Sequence, residues 1–261
     1  MSTVHGSVVR LVLALAMIAP GASVMAAGVI HVYGPGGPAP AMKAAAKAYG
    51  AEHGIEVSVT AGPTGAWAPD FKKDGDLIYS GSEAMMSDFV TQFDGSMVDS
   101  TIEPLYLRPA AILVRPGNPR HITGFADLLK PGIRVMVVHG AGQVGMWEDI
   151  AGRDGDIRTV QALRHNIAFY APNSANAKAR WQQDNHIDAW IIYAIWATAN
   201  PGIADVVPLD AEHRIYRDCG VAYTAKGQNS AATRGFMAFL KGPKGRKIFA
   251  KFGWSEHAAG H

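Results

Sequence analysis

Three short glycine-rich loops carry the residues of this chain that are best suited to hold a negatively charged group. The first is Gly34-Pro35-Gly36-Gly37-Pro38, which follows an apolar run and precedes an alanine-rich segment. Prolines have no N–H, so this loop keeps the amides of Gly36 and Gly37 free, and glycine lets a ligand approach the backbone closely. Unpaired amides at a helix N-terminus form an anion site, aided by the helix dipole. Taken alone, the loop has a rigid surface turn as its alternative.

Two further loops of the same kind follow, and both are rich in glycine and hydroxyl groups. They are Gly62-Pro63-Thr64-Gly65 and Gly81-Ser82, and each comes directly after a predicted strand. Thr64 and Ser82 either donate hydroxyl hydrogen bonds to a ligand or cap the helices that follow. In a parallel sheet the ligand site lies beyond the carboxyl ends of the strands, where all three loops fall. Their convergence favours a binding site over three unrelated turns.

Arg108 is the single charge best suited to bind an anion. It precedes a proline and an apolar run, and a guanidinium can hold a carboxylate or a tetrahedral oxyanion through two parallel hydrogen bonds. The alternative is a salt bridge to a surface acid such as Glu103. Tyr193 ends an apolar strand, and its hydroxyl either points into the cleft or lies in the core. Trp67 and Trp147 each follow a candidate loop, where an indole would shield a ligand from water.

The segment Gly140-Ala141-Gly142-Gln143-Val144-Gly145 matches the glycine fingerprint of dinucleotide-binding proteins and follows a predicted strand. That fingerprint also requires an acidic residue at the end of the next strand, where it binds the ribose hydroxyls. Here the next strand ends in Ala171-Pro172-Asn173, without an acid. We therefore expect no nicotinamide cofactor, and interpret the segment as a glycine loop that presents amides to a smaller anion.

Other chemical arrangements are weak in this sequence. The single cysteine, Cys219, allows neither an internal disulfide nor a cysteine metal cluster, and the ten histidines are scattered. No Gly-x-Ser-x-Gly segment precedes a helix, and no base–nucleophile pair is visible. A net charge of +2 argues against a nucleic-acid binder, which normally shows a concentrated basic patch. We therefore expect a binding protein without catalytic residues, metal or cofactor, and an exported hydrolase is the less favoured alternative.

The first residues have the pattern of a secretory signal peptide. Arg10 precedes the apolar stretch Leu11–Ile18, which a proline and a glycine interrupt before Val24-Met25-Ala26 offers small residues for cleavage. The stretch is too short to span a bilayer. We expect cleavage after Ala26 or Ala27, which leaves about 235 residues and a soluble periplasmic protein. That length suffices for one large domain or two ordinary ones with a core that needs no disulfides.

The rest of the chain alternates predicted strands and helices, which implies a parallel sheet with helices on its faces. Two such units follow each other, and the chain crosses back at its end, which suggests two lobes around a cleft. The predicted strands are 29–33, 56–60, 76–79, 105–114, 134–139, 167–170, 188–193 and 220–224. The predicted helices are 39–50, 84–93, 125–129, 146–151, 159–165, 174–183, 231–241 and 244–252.

The order of these loops resembles that of the exported solute-binding proteins of ABC transporters, in the type II group that includes molybdate- and sulfate-binding proteins. Within that group the chain is similar to the accessory colonization factor AcfC family. The likeness covers nearly the whole chain after the export signal. It is carried by the segments Val32–Pro38, Val59–Pro63, Gly81–Glu83, Leu105–Ala110, Phe236–Leu240 and Phe249–Trp254. The first loop is fairly specific, whereas the two closing helices mark only the broad fold.

The resemblance implies an α/β fold of the periplasmic-binding-protein, Venus-flytrap type, whose two lobes close on a ligand in the cleft. It divides the chain into a signal peptide 1–26, a first lobe of 27–108 and 208–257, a second lobe 109–207, and a tail 258–261. The expected contacts from the first lobe are Gly36, Gly37, Thr64, Gly81, Ser82 and Arg108. Those expected from the second lobe are Gln143, Asn173, Ser174 and Tyr193.

The identity of the anion follows from where this chain departs from the molybdate binders. Those proteins have serines where this chain has Gly36-Gly37 and Thr64, and the missing first hydroxyl argues against molybdate. Arg108 has no counterpart in the mainly neutral molybdate site, so it favours a sulfate-like oxyanion or a small carboxylate. We therefore expect a monomer that captures such an anion for ABC-type import, with transporter membrane subunits as partners. A sensory or colonization role, which presents the ligand to a chemoreceptor, is the alternative.

Overall fold

The computed structural model describes residues 1–3 and 28–258, so nearly all of the predicted signal peptide and most of the predicted tail lie outside the described residues. The strands, numbered β1 to β9 in chain order, are Ile30–Gly34, Val57–Ala61, Leu77–Tyr79, Glu103–Val114, Val135–Val138, Ile167–Ala171, Ala189–Tyr193, Asp205–Pro208 and Tyr216–Tyr223. The helices, numbered α1 to α10, are Ala39–His53, Thr64–Asp74, Glu83–Gln92, Met146–Ala151, Ile157–Asn166, Ser174–Gln183, Ile195–Ala199, Ala225–Asn229, Ala231–Lys241 and Pro243–Lys251. Short 3-10 helices span Asp99–Thr101, Phe125–Leu129 and Ala141–Gln143.

A mixed sheet of nine strands runs through the described part of the chain in the order β2-β1-β3-β9-β4-β7-β5-β6, with β8 also paired to β4. Strands β2, β1 and β3 are parallel neighbours, as the sequence predicts, and β5 is parallel to both β6 and β7. Strand β9 is antiparallel to both β3 and β4. The parallel pairing predicted from the first three strands is thus confirmed, whereas β9 enters the centre of the sheet from later in the chain and is antiparallel to both its neighbours.

Strand β4 joins two parts of this sheet. Its first half, Glu103–Pro109, pairs with β9, and its second half, Ala110–Val114, pairs with β7 and β8. We call β2, β1, β3 and β9 with the first half of β4 the first half-sheet, and the second half of β4 with β7, β8, β5 and β6 the second half-sheet. Arg108 lies just before the crossing point, opposite Arg217 of β9. Its side chain can therefore contact elements of both half-sheets.

Helix α1 shows how local sequence sets the start, end and packing of an element that borders the site. Its first turn contains a proline, which is tolerated there because the amide would have no partner inside the helix. Gly54 ends the helix in the left-handed conformation with φ of 66°. The helix continues past Gly50, its predicted end, and a Cβ on Gly50 would lie only 2.7 Å from the carbonyl oxygen of Ile55. Glycine is thus required at position 50 by close packing and not by termination.

The core covers both faces of the sheet. Strands β5 and β7 are buried along their whole length, which is typical of interior strands covered by helices. Helices α2 and α3 enclose a smaller aromatic cluster in which Trp67, Phe71, Phe89 and Phe93 pack with ring centroids 4.7–6.2 Å apart.

Within the described ranges, the helices all fall short of the length and apolarity needed to cross a membrane.

Candidate functional site

A cavity of about 290 Å³ lies between the two half-sheets, where the loops after six strands meet. The loops after β1, β2 and β3 approach it from one side, and those after β5, β6 and β7 from the other. This is the edge at which open α/β sheets bind ligands. The lining residues are Pro35, Gly36, Gly37, Pro38, Gly62, Pro63, Thr64, Gly81, Met85, Arg108, Gly140, Gly142, Gln143, Pro172, Asn173, Ser174, Ala175 and Trp196.

The structure brings eight of the ten predicted ligand residues to the cavity wall. They are Gly36, Gly37, Thr64, Gly81, Arg108, Gln143, Asn173 and Ser174. The other two, Ser82 and Tyr193, are buried next to wall residues. The Ser82 hydroxyl caps α3 by accepting a hydrogen bond from the Met85 amide at 3.2 Å. The Tyr193 hydroxyl donates to the Gly142 carbonyl at 2.5 Å. Direct contact of any of the ten with a ligand stays a prediction.

Four helices begin at the cavity wall. They are α1, α2, α3 and α6, which have between 10 and 15 residues. The first amides of a helix have no acceptor inside it, and the helix dipole adds partial positive charge at the same end. The amides of Gly36, Gly37 and Ser174 donate no backbone hydrogen bond within the described residues. The wall therefore offers fixed donors and positive potential without mobile side chains.

The Arg108 side chain is enclosed between two aromatic rings. Only 1 % of the residue is exposed, and its Cζ lies 3.7 Å from the ring centroid of Tyr193 and 4.5 Å from that of Trp254. Cation–π contacts of this kind are stronger when they are desolvated. The guanidinium is thereby held in one orientation. The alternative partner, Glu103, instead pairs with Lys241 at 2.8 Å.

The hydrogen bonds of Arg108 go to backbone carbonyl groups. Nη1 donates to the Asp218 oxygen at 2.9 Å, and Nη2 donates to the Gly81 oxygen at 2.5 Å. One N–H of each terminal nitrogen is therefore engaged inside the protein and is not free for the bidentate anion contact expected from the sequence. Each terminal nitrogen still carries a second N–H. Burial lowers the pKa of the guanidinium from its ordinary value, but an arginine stays protonated in proteins. Arg108 thus brings a full positive charge to the wall.

Negative side chains are kept behind the wall. Among the described residues, those that line the cavity include no acidic side chain. Asp218, whose carbonyl accepts from Arg108, is buried and lies close to Glu83 at the start of α3. Partial burial, and then the charge of Asp218, raise the pKa of Glu83. An anion inside the cavity therefore faces amides, a hydroxyl and a guanidinium, with the acids on the far side.

Among the side chains of the wall that were not predicted from the sequence, Met85 and Trp196 are the largest. Met85 lies in the first turn of α3, and Trp196 lies in α7, shortly after the end of β7. Trp67 was expected beside a ligand, but it belongs to the aromatic core, where its Nε1 donates to the Gly62 carbonyl at 3.1 Å. Trp147 packs partly buried against the core. The position of Met85, three residues after the cap Ser82, was a signal that the first helical turn faces the cavity.

Comparisons with known proteins agree with this geometry. The family model described as bacterial extracellular solute-binding protein matches residues 30–255. The crystal structure of PEB3 with bound L-phospholactate is 36% identical with a TM-score of 0.83, and the match covers 87% of this chain and 100% of that chain. PEB3 is a protein of Campylobacter jejuni. A comparison with curated protein sequences gave no match.

Two more distant structures share the fold. The sulfate-binding protein SubI from Mycobacterium tuberculosis is 20% identical, with a TM-score of 0.73 and coverage of 87% of this chain and 86% of that chain. The periplasmic molybdate-binding protein of Azotobacter vinelandii is 14% identical, with a TM-score of 0.66 and coverage of 88% and 100%. These likenesses confirm the predicted two-lobed α/β fold of the type II periplasmic binding proteins. The matched family and the similarity to PEB3 together make this chain a member of the bacterial extracellular solute-binding proteins.

Proposed function

We propose that this protein is exported to the periplasm, binds a small organic anion that carries a phosphate-like oxyanion group, and delivers it for ABC-type import. The observation that carries this proposal is the meeting of four helix N-termini and the buried Arg108 at one cavity without an acidic residue in its wall. Fixed dipoles and a guanidinium in such a site stabilise negative charge. Capture needs only hydrogen bonding and closure of the cleft, so no catalytic residue is required.

The size of the cavity favours an anion with an organic part over a bare oxyanion. A tetrahedral oxyanion of five heavy atoms fills roughly 100 Å³, the space of about three water molecules. The cavity of about 290 Å³ has room for a short carbon chain as well, and Pro35, Pro63 and Trp196 supply apolar wall for it. Because PEB3 has been crystallised with L-phospholactate, a phosphate ester of a hydroxy acid, that compound is the first probe to use.

Within this proposal the predicted contacts take distinct roles. The amides of Gly36 and Gly37, the Thr64 hydroxyl and Arg108 bind the oxyanion group from the first half-sheet. Gln143, Asn173 and Ser174 close on the ligand from the second half-sheet. Gly81, Ser82 and Tyr193 belong to the same site and hold the wall in place through the hydrogen bonds described above.

Titration calorimetry and thermal melts of the protein without its export signal test the binding. L-phospholactate should bind most tightly, inorganic phosphate and sulfate more weakly, and lactate and molybdate most weakly. A probe at a hundredfold excess over its Kd should add about 2.7 kcal/mol to the free energy of unfolding. Flat melting curves and no heat with L-phospholactate, phosphate and sulfate would rule the proposal out.

Arg108→Lys tests the role of the guanidinium. Lysine keeps the charge but loses the planar set of donors, so we expect the Kd for L-phospholactate to rise by about tenfold. Arg115→Lys is the matched control, because Arg115 also lies on an aromatic ring, with Cζ 3.6 Å from the Trp181 centroid. Its guanidinium also donates to backbone carbonyls, but away from this cavity. Equal loss of binding in both variants would mean that Arg108 acts through stability alone.

Import is tested by the uptake of labelled L-phospholactate in cells with and without the gene. Lost uptake in the deletion strain supports delivery to a transporter. Normal uptake together with a lost chemotactic response to the same compound would instead favour the sensory alternative.

A further inference from the structure

We infer that Met85 lowers the affinity of the cavity for anions as a displaceable thioether, which accepts the hydrogen bond of the Gly81 amide until an anion oxygen replaces it. The inference rests on the proposed anion-binding function and adds a residue that sequence reasoning did not select. Met85 lines the cavity, is only 7 % exposed, and its Sδ accepts a hydrogen bond from the Gly81 amide at 3.4 Å.

Both backbone groups of Gly81, its carbonyl and its amide, are hydrogen-bonded to side chains. Its carbonyl accepts from Arg108 Nη2 at 2.5 Å, while its amide donates to Met85. The amides of Gly36 and Gly37, on the same wall, donate to no backbone acceptor in the described part of the chain. The Gly81 amide therefore differs from these neighbours, because a side chain must leave before it can bind a ligand.

The chemistry of the two possible acceptors favours the exchange. A thioether sulfur is a weak acceptor, whereas an anionic oxygen forms a charge-assisted hydrogen bond about twice as strong as a neutral one. Methionine is unbranched and adaptable, so its sulfur can move aside at little cost. An anion that places an oxygen next to Gly81 accepts a hydrogen bond from this amide. An anion that does not reach Gly81, or whose oxygen is a weak acceptor, leaves Met85 in place.

Met85 also faces the opposite half-sheet. A Cβ added to Gly142 would lie 3.6 Å from Met85 Cε and 3.7 Å from the Gly81 carbonyl oxygen. The thioether therefore sits where the two half-sheets contact each other. When an anion displaces the thioether, the Met85 side chain moves at this contact. Binding of an anion oxygen to the Gly81 amide is therefore coupled to the packing between the two half-sheets.

The test compares Met85→Leu with Met86→Leu. Leucine keeps the volume but removes the sulfur acceptor, so the Gly81 amide is unpaired in the empty protein. We expect Met85→Leu to melt at a lower temperature without anion and to bind L-phospholactate and inorganic phosphate about fivefold more tightly than wild type. The melting difference should shrink at saturating probe. Met86 is the matched control, because it is buried in the same core cluster but lies beside Gly220 and not in the cavity wall, and its substitution should leave the Kd unchanged.

A third variant gives the opposite direction. Met85→Gln supplies a stronger acceptor of similar length for the Gly81 amide, and it should weaken binding of both probes. It also keeps the inference testable if Met85→Leu does not fold. Wild-type binding with an unchanged or raised Kd in Met85→Leu overturns this inference and leaves the proposed function standing. Failure of the wild-type protein to bind either probe overturns the proposed function, and the inference with it.

Discussion

At the scale of single residues, Glu83 and Asp218 place two carboxyl groups side by side behind the cavity. Partial burial, then repulsion by Asp218 and a hydrogen bond with it, raise the pKa of Glu83. Glu83 also opens α3, where the helix dipole favours a charged carboxylate by about 0.3–1 kcal/mol. Because the pKa is raised despite the dipole, burial and the neighbouring acid outweigh it.

We expect Glu83→Gln to stabilise the protein at pH 7 and much less at pH 4. A raised folded pKa means that the folded protein binds the proton more tightly than the unfolded chain does. Stability therefore falls as the pH rises from the unfolded value of about 4.3 through the folded pKa, and the substitution removes that loss. The gain should stay below about 1 kcal/mol, because solvent screens a partly exposed group.

Thermal melts at the two pH values measure the effect of Glu83→Gln. Glu212→Gln is its control, since Glu212 is exposed and forms no salt bridge within the described residues. An equal gain at pH 4 and pH 7 would show that the Asp218 neighbour is not the cause.

At the scale of elements, the cavity depends on the C-terminal segment Gly253–Ser255. After α10 the chain turns at Gly253, which has φ of 83°, and Trp254 then packs against the guanidinium of Arg108. Ser255 exchanges two backbone hydrogen bonds of 2.7 and 2.9 Å with Leu107. The segment Gly253–Ser255 therefore fixes the position of β4 and of the Arg108 side chain.

We expect Trp254→Leu to lower the free energy of unfolding by about 2 kcal/mol and to weaken anion binding. The stability loss comes from a smaller side chain in a buried site and from the lost cation–π contact. Trp254→Phe retains a ring over Arg108 and should keep most of the affinity for L-phospholactate. Phe252→Leu, one residue before this segment, should lower the melting temperature alone. If Trp254→Leu and Phe252→Leu bind the probe equally well, Trp254 does not orient the arginine.

At the scale of the whole molecule, the two half-sheets share strand β4 and one hydrophobic core, and an ion pair also links them. Arg217 of β9 pairs with Asp149 of α4, and the two side chains are 28 % and 51 % exposed. The pair thus connects β9, a strand of the first half-sheet, with α4, a helix that follows β5 of the second half-sheet. It is therefore placed to favour the observed arrangement of the two half-sheets around the cavity.

We expect Asp149→Asn to raise the Kd for L-phospholactate by about twofold at low ionic strength. An exposed pair contributes less than about 1 kcal/mol, and salt screens it, so the difference should vanish near 1 M salt. Calorimetric titrations at both salt concentrations measure this. Asp156→Asn breaks an exposed pair with Arg158 at the start of α5 and should not change the Kd. Equal affinities for Asp149→Asn and Asp156→Asn at low salt would contradict the role of the pair in closure.

The parallel units of the sheet could be predicted because their signals are local. An apolar run, a glycine loop and a capped helix lie next to each other in the sequence, and backbone sterics and capping act over a few residues. The place of β9 between β3 and β4 could not be predicted in this way. Its partners lie far away in the chain, and only the packing of the whole sheet decides that pairing.

The same division holds for the site. The sequence predicts that the loops at Gly36-Gly37 and Ser174 present amides at helix starts, because glycine, proline and capping residues act locally. It does not predict α2, the helix that begins at Thr64. No local pattern predicts that Arg108 lies between Tyr193 and Trp254 with two of its nitrogens donating to backbone carbonyls, or that Met85 accepts from the Gly81 amide. These contacts join residues from separate elements, and the approach of those elements depends on how the whole core packs.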